Sequence, residues 1–187
     1  SNPSSPTMKK AILYTFFLLI SSSILLSQWK TRSVTNEVMN EVLLSIEDFK
    51  GVSELNMYFE KAYAFAVFPS IKKAGFGIGG ARGKGQVFVN EKLIGDSTVT
   101  QINLGINLGV QSYQEIIFFR NKVDLDRFRS GNFELGAQAS AVAINAGVAA
   151  EVEYSNGVAI FTKAIGGLML EASIGGQKFS FNPVIEN

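Results

Sequence analysis

The 187-residue sequence contains no cysteine and no histidine. The first absence excludes disulfides, thiolate nucleophiles and Cys-ligated metals. The second removes the commonest general base and the commonest zinc ligand. Net charge is also scarce, with 17 Lys and Arg facing 16 Asp and Glu. Two of the cations, Lys9 and Lys10, lie in the first 29 residues, which hold no acid, so the remainder carries 15 cations against 16 acids. A near-neutral body argues against a general nucleic-acid binder, which needs clustered cations. Carboxylate, Lys, Tyr and Ser/Thr chemistry is left. The carboxylates Glu115, Asp124, Asp126, Glu134, Glu151, Glu153 and Glu171 form no set that can be placed by catalytic role. Asp124 and Asp126, with Arg120, Lys122, Arg127 and Arg129 nearby, read as a surface ion-pair cluster. The expectation is a protein that is not an enzyme, with no catalytic residue, no metal and no cofactor.

What is plentiful is apolar surface and glycine, with 15 Phe and 18 Gly. A chain of this length and apolar content builds one core, so a single domain is expected over residues 30–187. Residues 1–7, SNPSSPT, read as an appended or disordered lead. Residues 8–29 read as an export signal: two lysines precede an apolar run over residues 11–26. As a helix this run spans about 24 Å, short for a bilayer core. No clean small-x-small cleavage site follows, so an uncleaved membrane anchor stays open beside a signal peptide. Either reading places the body outside the cytoplasm of a bacterial cell, periplasmic or envelope-associated.

The body begins with an amphipathic helix, Ser33 to Lys50. Val34, Val38, Val42 and Ile46 form a stripe flanked by Met39, Leu43 and Phe49, and Gly51 ends it. Its wet face is acidic, through Glu37, Glu41, Glu47 and Asp48. An anionic bilayer repels such a face, so the stripe is assigned to the core. A short helix over about Ser53 to Lys61 follows.

From Ala64 the period changes to two. AFAVFP reads as a short strand stopped by Pro69, and AGFGIGG, QVFVN, QINLGINLGVQ and EIIFFR read as further strands. KVDLDRFRSGN reads as a short helix ending at Gly131. FELGAQASAVA alternates again, VEYSNGVAIF reads as a hairpin turning at Asn156-Gly157, and AIGGLMLEASIGG completes the sheet. The final KFSFNPVIEN is not counted as a strand. Glycine at alternate strand positions is costly unless a tight face tolerates no Cβ. The fold expected is α+β: amino-terminal helices packed on a Gly-rich, strongly curved, mostly antiparallel, barrel-like sheet.

Gly75-Phe76-Gly77-Ile78-Gly79-Gly80 satisfies G-x-G-x-x-G. A dinucleotide site needs a strand before these glycines and a helix after them, to present its amino terminus to the pyrophosphate. ARGKGQVFVN follows instead, and no helix starts there. No nucleotide is expected. GARGKG is read as the turn of a hairpin, with Arg82 and Lys84 at its tip and Lys72 and Lys73 at its base, roughly 25 Å away. Between Glu60 and Glu91 the sequence has five cations and no acid. Lys72, Lys73, Arg82 and Lys84 are therefore the candidate contacts for an anionic surface, each worth about 1 kcal/mol beside an acidic membrane. The alternative is that they are solvated charges guarding a sheet edge.

Several blocks together carry a resemblance: AYAFAVFPSIKKAGFGIGGARGKGQVFVN, QINLGINLGVQSYQEIIFFRN, FELGAQASAVA and AIFTKAIGGLMLEASIGG. In this order they resemble the SYLF domain family of lipid-binding domains, from about Val34 to Phe181. K-A-G-F at Lys73 to Phe76, the G-x-G run from Gly105 to Gly109, and the pairs Gly166-Gly167 and Gly175-Gly176 make it specific. The resemblance implies binding of phosphoinositide or other anionic phospholipid, and its bacterial exported branch carries an export signal. Eukaryotic relatives couple membranes to actin and start the domain with a basic amphipathic helix. Here that helix is acidic, and an exported bacterial protein does not meet actin. The reading is a peripheral, membrane-associated module that binds anionic headgroups. The competing readings are a small outer-membrane β-barrel and a structural envelope protein.

Overall fold

The computed structural model describes residues 37–184, apart from 77, 105–108, 132, 137–138, 140, 146–148 and 167–173. By compactness the chain divides into Ser1–Met39 and Asn40–Asn187. The proposed lead and export segment, residues 1–29, lie outside the described residues. Among the described residues no helix is long and apolar enough to cross a membrane.

The first helix, α1, is described over residues 37–50. Val42, Ile46 and Phe49 are buried, as their spacing requires, while Glu41, Glu47 and Asp48 face water. Leu43 departs from the expected stripe and is about half exposed. A 3₁₀ turn, Ser53–Leu55, leads into α2, Asn56–Lys61.

The sheet has seven strands: β1 (Ala64–Phe76), β2 (Ile78–Val89), β3 (Lys92–Leu104), β4 (Gly109–Phe119), β5 (Val142–Ala143), β6 (Val158–Ile165) and β7 (Gln177–Pro183). Their order is β5-β6-β4-β1-β2-β3-β7. Every pairing is antiparallel except the two-residue β5–β6 contact. Helix α3, Lys122–Arg129, sits between β4 and β5, with Asn121 accepting a bond from the Asp124 amide as its cap. The Asn156-Gly157 turn forms, both residues having positive φ. Ser155, before it, makes only an isolated bridge to Val158.

Four expectations are corrected. β1 does not stop at Pro69, because a bulge takes up the proline's missing N–H: register slips between Val67 and Ser70 toward β2, and between Phe68 and Ile71 toward β4. GARGKG is not a turn but the middle of β2. QKFSFNP is a strand, with Phe179 and Phe181 alternating against Lys178 and Ser180. The sheet is open, not a closed barrel. It nevertheless curls far enough for one stretch to reach both of its edges. Leu135 donates its N–H to Gln177 on β7, while Ile144 donates to Thr162 on β6. Part of AIGGLMLEASIGG, residues 167–173, lies outside the described residues.

Two cores result. The inner face of the curl holds Phe68, Ile71, Val99, Tyr113, Ile117, Phe119 and Phe179, closed by Phe128 of α3 and by Phe133. The outer face is covered only at one end. There Tyr58 and Phe59 of α2 pack on Phe65, Phe118 and Phe161.

Candidate functional site

The β1 bulge decides where the charges point. It pushes β1 toward its neighbour, so a Cβ at Gly83 would lie 2.8 Å from Ile71 Cγ1 and 2.9 Å from the Ser70 carbonyl. A Cβ at Gly85 would run into the Val67 carbonyl and lie 2.6 Å from Phe68 Cδ1. Glycine is required on this packed inner face, and strand alternation then sends Arg82 and Lys84 outward. Both are exposed.

Lys72 stands directly opposite Arg82 in the β1–β2 register. Opposed residues on one face have Cβ atoms about 5 Å apart, and like charges there are destabilising. The expected roughly 25 Å gap between the two pairs of cations is therefore wrong for Lys72 and Arg82. Lys84 lies one double step along β2, opposite Ser70. Lys73 is the exception. It pairs with Ala81 on the inner face, half-buried, and does not join the other three.

The register extends this row across six strands: Ile165, Ser112, Lys72, Arg82, Thr100 and Lys178. Ser112, Thr100 and Lys178 were not singled out from sequence, because only strand pairing aligns them. Among the described residues, none of Lys72, Lys73, Arg82 or Lys84 makes an ion pair. Lys178 pairs with Glu134 at 3.6 Å. The other acids of the outer face lie toward the helices. Asp96 accepts from Gln86, and Asp48 of α1 accepts from Gln114 at 3.2 Å and pairs with Lys163 at 3.5 Å. Beyond this Gln114–Lys163 level, Lys72, Arg82, Thr100 and Lys178 are exposed.

The inner face carries a different polar group. Gln177 of β7 donates to Glu115 Oε2 at 3.0 Å and to the Tyr113 hydroxyl at 3.2 Å, although three strands separate β7 from β4 in sheet order. Glu115 is 0% exposed, with Oε1 unpartnered. Burial pushes its carboxyl up to about 7, against the bond from Gln177. Burial, and then the Glu115 charge, also push the Tyr113 phenol up. Among the polar groups around it are Gln177, which bonds it, and Tyr113, which shares that Gln177, and Thr162 stands opposite it in register. The α3 cluster divides in two. Asp126 is a surface partner for Lys122 and Arg129, as expected. Asp124 is buried and sits between Arg120 and Arg127, each 3.7 Å away.

Among the described residues no group of His, Cys, Asp and Glu could hold a metal ion. A cavity of about 860 Å³ lies beside Phe133, Leu135, Val142 and Ile160.

A family model described as "Ysc84: Las17-binding protein actin regulator" matches residues 100–183. The match takes in β4 to β7 and the end of β3 from Thr100, and leaves β1 and β2 outside it. Beta cell expansion factor A of Aeromonas veronii is 28% identical over 152 residues, which is 80% of this chain and 57% of that relative. This chain thus spans little more than half of the relative's length. Residues 100–183 match the model of the Ysc84 (SYLF) family, the family whose motifs the sequence resembles.

Proposed function

We propose that the chain is a non-enzymatic module that binds anionic phospholipid headgroups at a membrane surface through Lys72, Arg82 and Lys84. The observation that carries this reading is the directly opposed Lys72–Arg82 pair, on a bare face, with no acid paired to either among the described residues. Like charges held that close destabilise the strand pair that holds them. A phosphate between them removes the repulsion and gains charge-assisted hydrogen bonds to both. Ser112 and Thr100 flank the pair in the same row and add hydroxyl donors. Lys73, on the inner face, is left out of the contact set. The match of residues 100–183 to the Ysc84 (SYLF) family model, and the resemblance to its lipid-binding members, support the reading. The actin regulation in the family's description concerns those proteins, and nothing on this surface selects actin.

A transmembrane barrel is the weaker reading. Its outer belt must be apolar at mid-depth. Here the outer face holds helices at one end and a cation row at the other. In the favoured reading residues 8–29 carry the domain to the envelope, and cell fractionation checks that placement.

The test is co-sedimentation of the full chain with vesicles of phosphatidylcholine, with and without phosphatidylglycerol or a phosphoinositide. Any contribution of the 11–26 run persists on neutral vesicles, so the quantity read is the anionic excess. Lys72→Glu with Arg82→Glu abolishes that excess, added salt weakens it, and Lys73→Glu leaves most of it. An excess indifferent to salt and to the double reversal sinks the proposal.

A further inference from the structure

The face that carries the cation row ends in a feature that electrostatic docking alone does not need. One double step from Thr100 along β3, the same face presents Ile102, beside Gly80 and Ala74 in the adjoining row. Ile102 is 77% exposed, the most exposed large apolar side chain among the described residues. Gly80 and Ala74, beside it in the row, are among the smallest residues.

The spacing fits a bilayer. Two residues along a strand advance about 7 Å. Each polar layer of a membrane is about 5–7 Å thick, taken as half the difference between the full bilayer and its hydrocarbon core. With Lys72 and Arg82 at phosphate depth, Ile102 reaches the edge of the hydrocarbon. Lys84, one double step the other way, stays about 7 Å outside the phosphates, within a Debye length of them. Asp48, held by Gln114 and Lys163, lies on that outer side too.

Resting on the headgroup reading above, we propose that the sheet docks on an anionic bilayer with the ends of its β1–β4 strands leading. Ile102 enters the headgroup–acyl boundary, Lys72 and Arg82 hold the phosphates, and Lys84 acts through the screened field. The lipid surface is the occupant because charge and apolarity are layered along the strand axis in the order a bilayer presents them. A soluble phosphate has no use for the isoleucine.

The chain has no cysteine, so Ile102→Cys takes one environment-sensitive fluorophore in the full-length protein. Val123→Cys, 75% exposed on α3, is the control. The probes are vesicles of phosphatidylcholine doped with phosphatidylglycerol, with and without acyl-brominated lipid. The label at 102 shifts to the blue and is quenched by the bromines, and the label at 123 does neither. Separately, Ile102→Asp lowers anionic-vesicle affinity on the order of tenfold, the loss expected for one aliphatic side chain that no longer leaves water. Its fold is checked by circular dichroism. If binding depends on Lys72 and Arg82 but the label at 102 stays open to aqueous iodide, the insertion is overturned and the headgroup reading stands. If binding ignores Lys72 and Arg82, both fall.

Discussion

The outer face of this sheet is built in two ways within the same strands. At one end Phe65, Phe118 and Phe161 lie under Tyr58 and Phe59, Phe88 stacks on Phe65, and all four phenylalanines of the strands are buried. A few residues further along, the same strands present Lys72, Arg82 and Thr100 to water. The inner face runs apolar beneath most of both regions. The covered end is optimised for stability. The bare end tolerates a like-charge pair that a purely structural sheet would gain by removing. That contrast is the reason for placing function at the bare end.

Four measurements break or sharpen this comparison. The largest effect is expected at the covered end, where Phe118→Ala costs about 3–5 kcal/mol in denaturant unfolding. Anionic-vesicle binding by the fraction still folded is unchanged. A loss of binding at equal folded fraction would mean that the two ends are not separable.

The second concerns pH. Glu115 has a folded-state pKa of about 7 against an ordinary 4.5. The raised value means that the unfolded chain releases this proton first. The Glu115 contribution is fully present below about pH 4.5 and is lost as pH rises through 7, by on the order of 3 kcal/mol. Glu115→Gln flattens this slope while keeping a partner for Gln177. The same slope in wild type and variant would show that Glu115 is not the group responsible.

Third, Gly85→Ala drives a methyl into the Val67 carbonyl and the Phe68 ring, for about 2 kcal/mol of destabilisation. It leaves the charge at Arg82 and Lys84 untouched. The smallest effect is the most discriminating. Lys72→Gln removes the like-charge opposition and raises stability by about 0.2–1 kcal/mol, while anionic-vesicle binding falls. A variant that is both less stable and weaker in binding would place Lys72 among the structural residues.

Local signals made much of this legible. The acidic α1, the α3 helix with its end at Gly131, and the Asn156-Gly157 turn follow from period, caps and turn chemistry. Non-local facts were not legible. Gly83 and Gly85 look like turn glycines beside Arg82 and Lys84. Their real constraint is the Pro69 bulge on the neighbouring strand, and only pairing brings that bulge opposite them. The misplaced turn in turn misplaced the cations, splitting Lys72 from Arg82 and keeping Lys73 with Lys72. The alternation of Lys178-Phe179-Ser180-Phe181 does mark β7 locally, but it is short and follows the Gly175-Gly176 pair, which by itself signals the end of a sheet. Nothing local marks Glu115 as buried and alone, for its partner Gln177 is 62 residues away.

That Gln177 bond also constrains how the chain comes to be folded. Glu115 and Tyr113 sit on a strand made long before β7, so during synthesis their polar atoms wait in water for a partner still to be translated. Pairing across so long a loop forms late and slowly. Until it does, the curl stays open with its phenylalanines uncovered. A cell that makes this protein therefore has reason to shield it from aggregation until residue 177 has left the ribosome.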